Sequence, residues 1–183
     1  WNEENLLAVG AGGDPEKGLT ELGREAVRRM QRLGIVPDVS HASDGTFRDL
    51  LKLAEGPVIA SHSNCRALCD VRRNLTDDQL RAIRDTGGVV GVNVYHNFVH
   101  ADPRQQTAAM LARHAAHMAE VMGPEYVACG FDFCEYFGPG NEGCEGMEDC
   151  SQTHNFFFEL ERIGFSAAER QAIAGENLLR VLE

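Results

Sequence analysis

The sequence predicts an α/β protein built on a parallel sheet, and three observations predict it. Short apolar runs alternate with amphipathic helical segments along the whole chain. Glycine, often with proline, punctuates the helix ends at Gly34, Gly56-Pro57, Gly87-Gly88 and Gly123-Pro124. Polar side chains stand at the ends of the apolar runs, at His41, His62, Asn93 and Asp132, where parallel α/β folds build their sites. An open doubly wound sheet and part of a (β/α)8 barrel both satisfy this alternation.

Each element follows from its local pattern. Leu22, Ala26, Val27, Met30 and Leu33 recur at helical spacing, so 20–33 reads as an amphipathic helix ended by Gly34. The run 35–40 reads as a buried strand, with Pro37 removing one ladder donor. Ser43 suits the cap of a helix over 44–54, and 58–61 is a second strand. A loop over 66–74 leads to a capping box, Thr76 to Gln79, and a helix to about Thr86. The run 89–94 is a third strand. A helix over 105–122 and a fourth strand over 126–131 follow. The Gly-rich, acidic segment 134–151 is a loop. Helices over 153–163, 167–174 and 176–182 close the chain, the second opened by a capping box from Ser166 to Glu169. No internal repeat and no linker interrupts residues 1–183, so a single domain is expected.

Composition narrows the function classes. The 183 residues are 43% hydrophobic and 25% charged, as in ordinary globular proteins. A net charge of -11 argues against nucleic acid and against an anionic membrane surface as partners. No apolar run approaches the ~20 residues of a membrane span. Six cysteines occur without a Cys-x-x-Cys pair, and a chain with this much core needs no staples. They read as thiols of a reducing compartment, so a cytoplasmic location is expected.

Two histidines at the ends of the first and second strands and an aspartate at the end of the fourth converge on one face of such a sheet. Imidazole nitrogen and carboxylate oxygen are ligands suited to zinc. A single strand-end histidine more often bonds to nearby backbone. Two on consecutive strands favour a metal, with Ser40, Ser61 and Ser63 placed to orient the rings.

The motifs Gly18-Leu19-Thr20, Asp38-Val39-Ser40-His41, Pro57 to Asn64, Arg73 to Asp77, Gly87 to Asn93, Gly130 to Phe133 and Gly175 to Val181 occur in one order. In that order and spacing the chain resembles the membrane (renal-type) dipeptidase family of zinc peptidases. The resemblance implies a (β/α)8 TIM-barrel fold, of which this chain supplies about four β/α units, the C-terminal half. It implies a binuclear zinc site in which His41 and His62 hold one metal. It makes Arg73 the residue that grips the substrate carboxylate, a task suited to a guanidinium fork, and Asp132 the proton carrier between the hydrolytic water and the leaving amine. The implied reaction is hydrolysis of dipeptides, in an enzyme expected to be a homo-oligomer.

The family's other ligands are an early His-x-Asp pair and a bridging glutamate, and the sequence is read as lacking both. The expectation is therefore a C-terminal part whose N-terminal half or second chain completes the site, inactive by itself. The alternatives are a non-catalytic remnant and another amidohydrolase-type metal hydrolase. Cys134 stands where the family often has a second aspartate. Trp1 stands near the place of a substrate-contacting histidine. His114, His117 and Glu120 form a helical row that reads as packing or surface bonding rather than a metal box. His96 could line the pocket mouth. A structural zinc on Cys134, Cys144 and Cys150 is the lesser reading of the acidic loop. Phe156 to Phe158 reads as core and subunit contact.

Overall fold

The computed structural model describes residues 2–183; Trp1, with the substrate contact considered for it, lies outside the described residues. The elements are α1 (Glu21–Arg32), α2 (Asp44–Leu53), α3 (Asp77–Asp85), β1 (Val90–Asn93), α4 (His96–Val99), α5 (Ala108–Met122), β2 (Val127–Phe131), α6 (Thr153–Arg162), α7 (Ala167–Gln171) and α8 (Asn177–Leu182). The fold is α/β. β1 and β2 pair in parallel. Ahead of them, Asp38 bridges to Ile59 and Ala60 to Val90, again in parallel. Four extended segments thus lie side by side in chain order, all pointing the same way.

The expected four strands are corrected to two strands and two bridge-paired segments. Pro37 has no N–H to give and only accepts, from the Ile59 amide at 3.0 Å. The Ser61 amide is diverted to the Asp38 carboxylate at 3.0 Å, and the Val39 carbonyl accepts from the Ala42 amide instead. With donors missing or diverted, the ladder between 36–40 and 58–61 stays at single bridges.

Local chemistry explains the helices. Thr20, Ser43 and Thr107 each accept a hydrogen bond from a first-turn amide. Thr76 with Gln79, and Ser166 with Glu169, close full capping boxes. Because Thr107 is the cap, the long helix begins at Ala108 and not at 105; residues Pro103–Gln105 form a separate short turn. α7 runs through one wide turn, Ala172–Glu176, into α8. The short α4 carries no side-chain cap and gave no periodic signal.

The longer helices each bury one stripe in a core shared with the sheet. Phe47 and Leu50 of α2, Leu80 and Ile83 of α3, Leu111, Ala115 and Met118 of α5, and Phe156 and Leu160 of α6 meet Val58, Ala60, Val90, Val92 and Val127. A fully buried side chain of this kind contributes about 1.5–3 kcal/mol. The core clamps the strand bodies and leaves their carboxyl ends to carry Ser40-His41, Ser61-His62, Asn93 and Asp132.

One irregularity aims that edge. Val92 pairs with Cys129, but Asn93 pairs with Phe131, so Gly130 is an extra residue in β2. Only glycine fits there, since a Cβ would overlap the Ser61 carbonyl oxygen. The next two residues, Phe131 (φ 48°) and Asp132 (φ 64°), are left-handed without being glycine. Such conformations cost about 1–3 kcal/mol each and gather at functional sites.

Candidate active site

The structure brings the four sequence-derived site residues together at this edge. His41 Nε2 and His62 Nε2 face each other at 2.9 Å. Asp132 Oδ2 lies 3.8 Å from His62 Nε2. The buried Arg73 returns from the 65–75 loop to reach the carbonyl of His62 at 3.3 Å and the Ser63 hydroxyl at 3.5 Å. Its guanidinium stacks on Phe98 at 5.3 Å. Both bonds are long, so most of its N–H donors remain available among the described residues, a fork suited to a carboxylate.

Hydrogen bonds fix which ring nitrogens are exposed to a metal. Asp38 accepts from the amides and the hydroxyls of Ser40 and Ser61. The Ser61 hydroxyl, donating to Asp38, therefore accepts from His62 Nδ1 at 2.7 Å. His41 Nδ1 faces the Asn2 amide oxygen at 2.7 Å. Both Nδ1 atoms then carry the proton, and both Nε2 lone pairs point into the site. Two such lone pairs at 2.9 Å repel each other unless a cation or a proton lies between them. Burial pushes His41 down to about 4, and the charges of Arg73 and His62 add to it. Burial also lowers His62, with Asp132 opposing and Arg73 reinforcing. Near pH 7 the rings are neutral, the state that binds metal. Arg73, desolvated, is lowered to about 10 and stays charged.

The donor set fits a metal in its chemistry and falls short in number. Two imidazoles are half of a tetrahedral set. Among the described residues, no three His, Cys, Asp or Glu side chains gather to hold an ion. The expectation that the chain lacks His-x-Asp needs correction, because His100-Ala101-Asp102 has that form. That triplet serves its own turn: His100 Nδ1 accepts from the Asp102 amide at 2.9 Å, and Asp102 pairs with Arg104 at 2.8 Å.

The lesser candidates are engaged elsewhere. His114 is fully buried, accepting from the Cys65 amide at 3.1 Å and donating to the Val99 carbonyl at 2.8 Å. His117 pairs with Asp77 at 2.7 Å. His96 meets the Glu142 carbonyl at 3.1 Å. Cys144 is buried and Cys150 exposed, and no described cysteine is in a disulfide. Phe156 is core, while Phe158 is 58% exposed. Sequence reasoning missed Asp38 and Asn2. Asp38 had a signal, since a carboxylate three residues before a strand-end histidine stands on the same sheet edge.

A cavity of about 250 Å³ lies beside the cluster, lined by Ser61, His62, Gly91, Cys129, Gly130 and Asp132 among others. A larger one of about 450 Å³ lies at the amino ends of the strands, between Gln31, Ile35, Pro57 and Val181. It gathers no imidazole and no guanidinium, so the chemistry belongs to the smaller one.

The fold and this edge define an α/β protein that joins two metal-competent imidazoles to a carboxylate and a desolvated guanidinium. The chain belongs to the membrane dipeptidase family, peptidase family M19, whose model matches residues 1–183. It is 36% identical to an uncharacterized protein of Klebsiella pneumoniae from the pqqA 5′ region, covering 100% of this chain and 69% of that protein. It is 35% identical to an uncharacterized dipeptidase of Schizosaccharomyces pombe, covering 98% of this chain and 44% of that one. Among solved structures it superposes on a metallo peptidase from Rhodobacter sphaeroides, liganded with a phosphinate mimic of the dipeptide L-Ala-D-Ala. There the TM-score is 0.88 and the identity 30%, over 100% of this chain and 53% of that chain. An amidohydrolase from Pseudomonas aeruginosa gives a TM-score of 0.88 at 26% identity, over 100% of this chain and 62% of that one. The chain thus spans about half the length of the solved relatives.

Proposed function

We propose that the chain is the C-terminal part of a zinc-dependent dipeptidase. The observation that carries this reading is the convergence of His41 Nε2 and His62 Nε2 beside Asp132 and Arg73 in a member of this family. The four parallel segments form one half of a (β/α)8 barrel. The N-terminal half, or a second chain, supplies the other strands and the remaining ligands of a binuclear zinc site, and the complete enzyme is a homo-oligomer.

In this mechanism His41 and His62 would hold zinc through Nε2. The bound metal would supply Lewis acidity to the hydrolytic water and the scissile carbonyl. Arg73 binds the C-terminal carboxylate of the dipeptide and thereby sets the peptide bond over the cluster. Asp132 Oδ2 accepts from the Asn93 amide at 3.2 Å and faces His62 Nε2 at 3.8 Å, while Oδ1 accepts from the Cys134 thiol at 3.8 Å; held in this way, the carboxylate takes the proton of the water at Oδ2 and returns it to the leaving amine. Burial of Arg73 strengthens its grip, because a desolvated guanidinium gains more from a carboxylate than one in water.

The test uses the complete protein, with metal content measured alongside turnover of L-Ala-L-Ala and its C-terminal amide. Two zinc ions per chain, hydrolysis of the free dipeptide and a large preference over the amide are expected. His62→Ala should lose one zinc and most activity. Arg73→Ala should raise KM for the free dipeptide and leave KM for the amide unchanged. A zinc-loaded enzyme that hydrolyses both substrates equally would instead favour another amide, as the likeness to an amidohydrolase allows.

A further inference from the structure

Three asparagines lie beneath the site with no exposure at all, Asn64, Asn74 and Asn93. A buried amide is costly unless each donor and acceptor is matched, and an apolar residue of similar size avoids that cost. Here the matches all go to the segments that carry the site. Asn93 Oδ1 accepts from the Tyr95 amide at 2.7 Å. That fixes the amide's orientation, so Nδ2 is the atom that donates to Asp132 Oδ2 at 3.2 Å. The backbone of Asn93 is gripped by Asn64, whose Oδ1 accepts its N–H at 3.0 Å and whose Nδ2 donates to its carbonyl at 2.8 Å. The backbone N–H of Asn64 in turn donates to Asn74 Oδ1 at 3.3 Å. Asn74 adjoins Arg73 in sequence. Asn64 Nδ2 and Asn74 Nδ2 both donate to the Phe98 carbonyl, at 3.2 and 2.9 Å, and the Phe98 ring is the one that carries the Arg73 guanidinium.

We propose that Asn64, Asn74 and Asn93 act as one clamp of positioning residues that sets the spacing between the Arg73 guanidinium and the Asp132 carboxylate. Asn93 serves the Asp132 end, and Asn64 with Asn74 serves the Arg73 end. The inference rests on the reading of Arg73 as the carboxylate binder and Asp132 as the proton carrier. It follows from chemistry that the two ends must be held together. A dipeptide has a fixed span from its C-terminal carboxylate to its peptide nitrogen, and an ångström of error at either group costs about a hundredfold in rate. The three clamp residues are themselves neutral, so they hold the site without adding charge to one that already contains Arg73, Asp38 and Asp132.

The experiment uses the complete zinc-loaded protein, with L-Ala-L-Ala and its C-terminal amide as probes. Asn93→Asp keeps the acceptor for Tyr95 and loses the donor to Asp132. It should lower kcat for both substrates by about tenfold or more with KM within about twofold. Asn64→Asp loses the donors to Asn93 and Phe98. It should raise KM for the free dipeptide about tenfold and leave KM for the amide unchanged, eroding the preference between them. Asn93→Ser and Asn74→Ser, which bury no new charge, repeat each arm should an aspartate variant fail to fold. Crystal structures of the same variants should show Asp132 rotated in the first set and Phe98 with Arg73 displaced in the second. The clamp is overturned if the Asn93 variants leave kcat unchanged, or if the Asn64 and Asn74 variants shift KM equally for both substrates. It is also overturned if the two site groups stay in place in the variant structures. An unmodified enzyme inactive on both probes would sink the dipeptidase reading, and the variant structures alone would then decide the clamp.

Discussion

His114 gives the fold a pH dependence that can be measured without any assay of activity. Its ring is wholly excluded from water, and burial pushes it down from 6.5 to about 4. The unfolded chain therefore takes up the proton at higher pH than the folded one. The stability that His114 contributes as a neutral ring is complete above pH 6.5 and is lost as pH falls toward about 4. Between pH 7 and pH 5 the loss is about 2 kcal/mol, from the difference in proton uptake by the two states. His114→Gln keeps a donor for the Val99 carbonyl and cannot titrate in this range. Loss of the bond from the Cys65 amide costs it about 1–2 kcal/mol at any pH. Urea unfolding at pH 7, 6 and 5 should show the unmodified protein more stable at pH 7 and the gap closing by about 2 kcal/mol at pH 5. His41 and His62, lowered too, are common to both proteins and cancel. A gap that does not change with pH would refute the assignment of His114 as a neutral buried link between α5, the 65–75 loop and α4.

Two further outcomes follow from backbone and burial. Gly130→Ala should cost about 1–3 kcal/mol and reduce zinc content measured by atomic emission, because the added Cβ meets the Ser61 carbonyl beside His62; an unchanged metal content and melting temperature would count against the bulge. Iodoacetamide followed by mass spectrometry should label exposed Cys150 first. Cys144, buried and pushed up to about 12, should react only on unfolding.

What was legible in the sequence is what local chemistry decides alone. The capping boxes at Thr76 and Ser166 satisfy orphan amides with residues three positions away, so spacing suffices to find them. The run at β1 is apolar because both faces are covered, and β2 opens on the same buried pattern at Val127 and Ala128, so both were legible. The 35–40 run also carries branched apolar residues, Ile35, Val36 and Val39, yet makes only a bridge, because the donor missing at Pro37 counts for more in pairing than hydrophobicity does. The start of α5 was misplaced because Thr107 and the Pro103 turn compete for the same stretch, and the hydroxyl cap wins. The residues of the site were legible through position: His41, His62 and Asp132 each stand at a strand end, and one parallel direction brings such ends together. How they are aimed was not legible. The extra residue at Gly130 and the left-handed Phe131 and Asp132 depend on which residue of β1 faces which residue of β2, a fact of pairing that no single segment contains. The same holds for Asp38, whose partner Ser61 is far off in sequence and adjacent only once the two segments pair. Composition and period thus select the edge on which chemistry gathers. Register, set by pairing between segments, then decides that the Asp132 carboxylate meets the Asn93 amide and the two imidazoles meet through Nε2, and on that geometry any hydrolytic role depends.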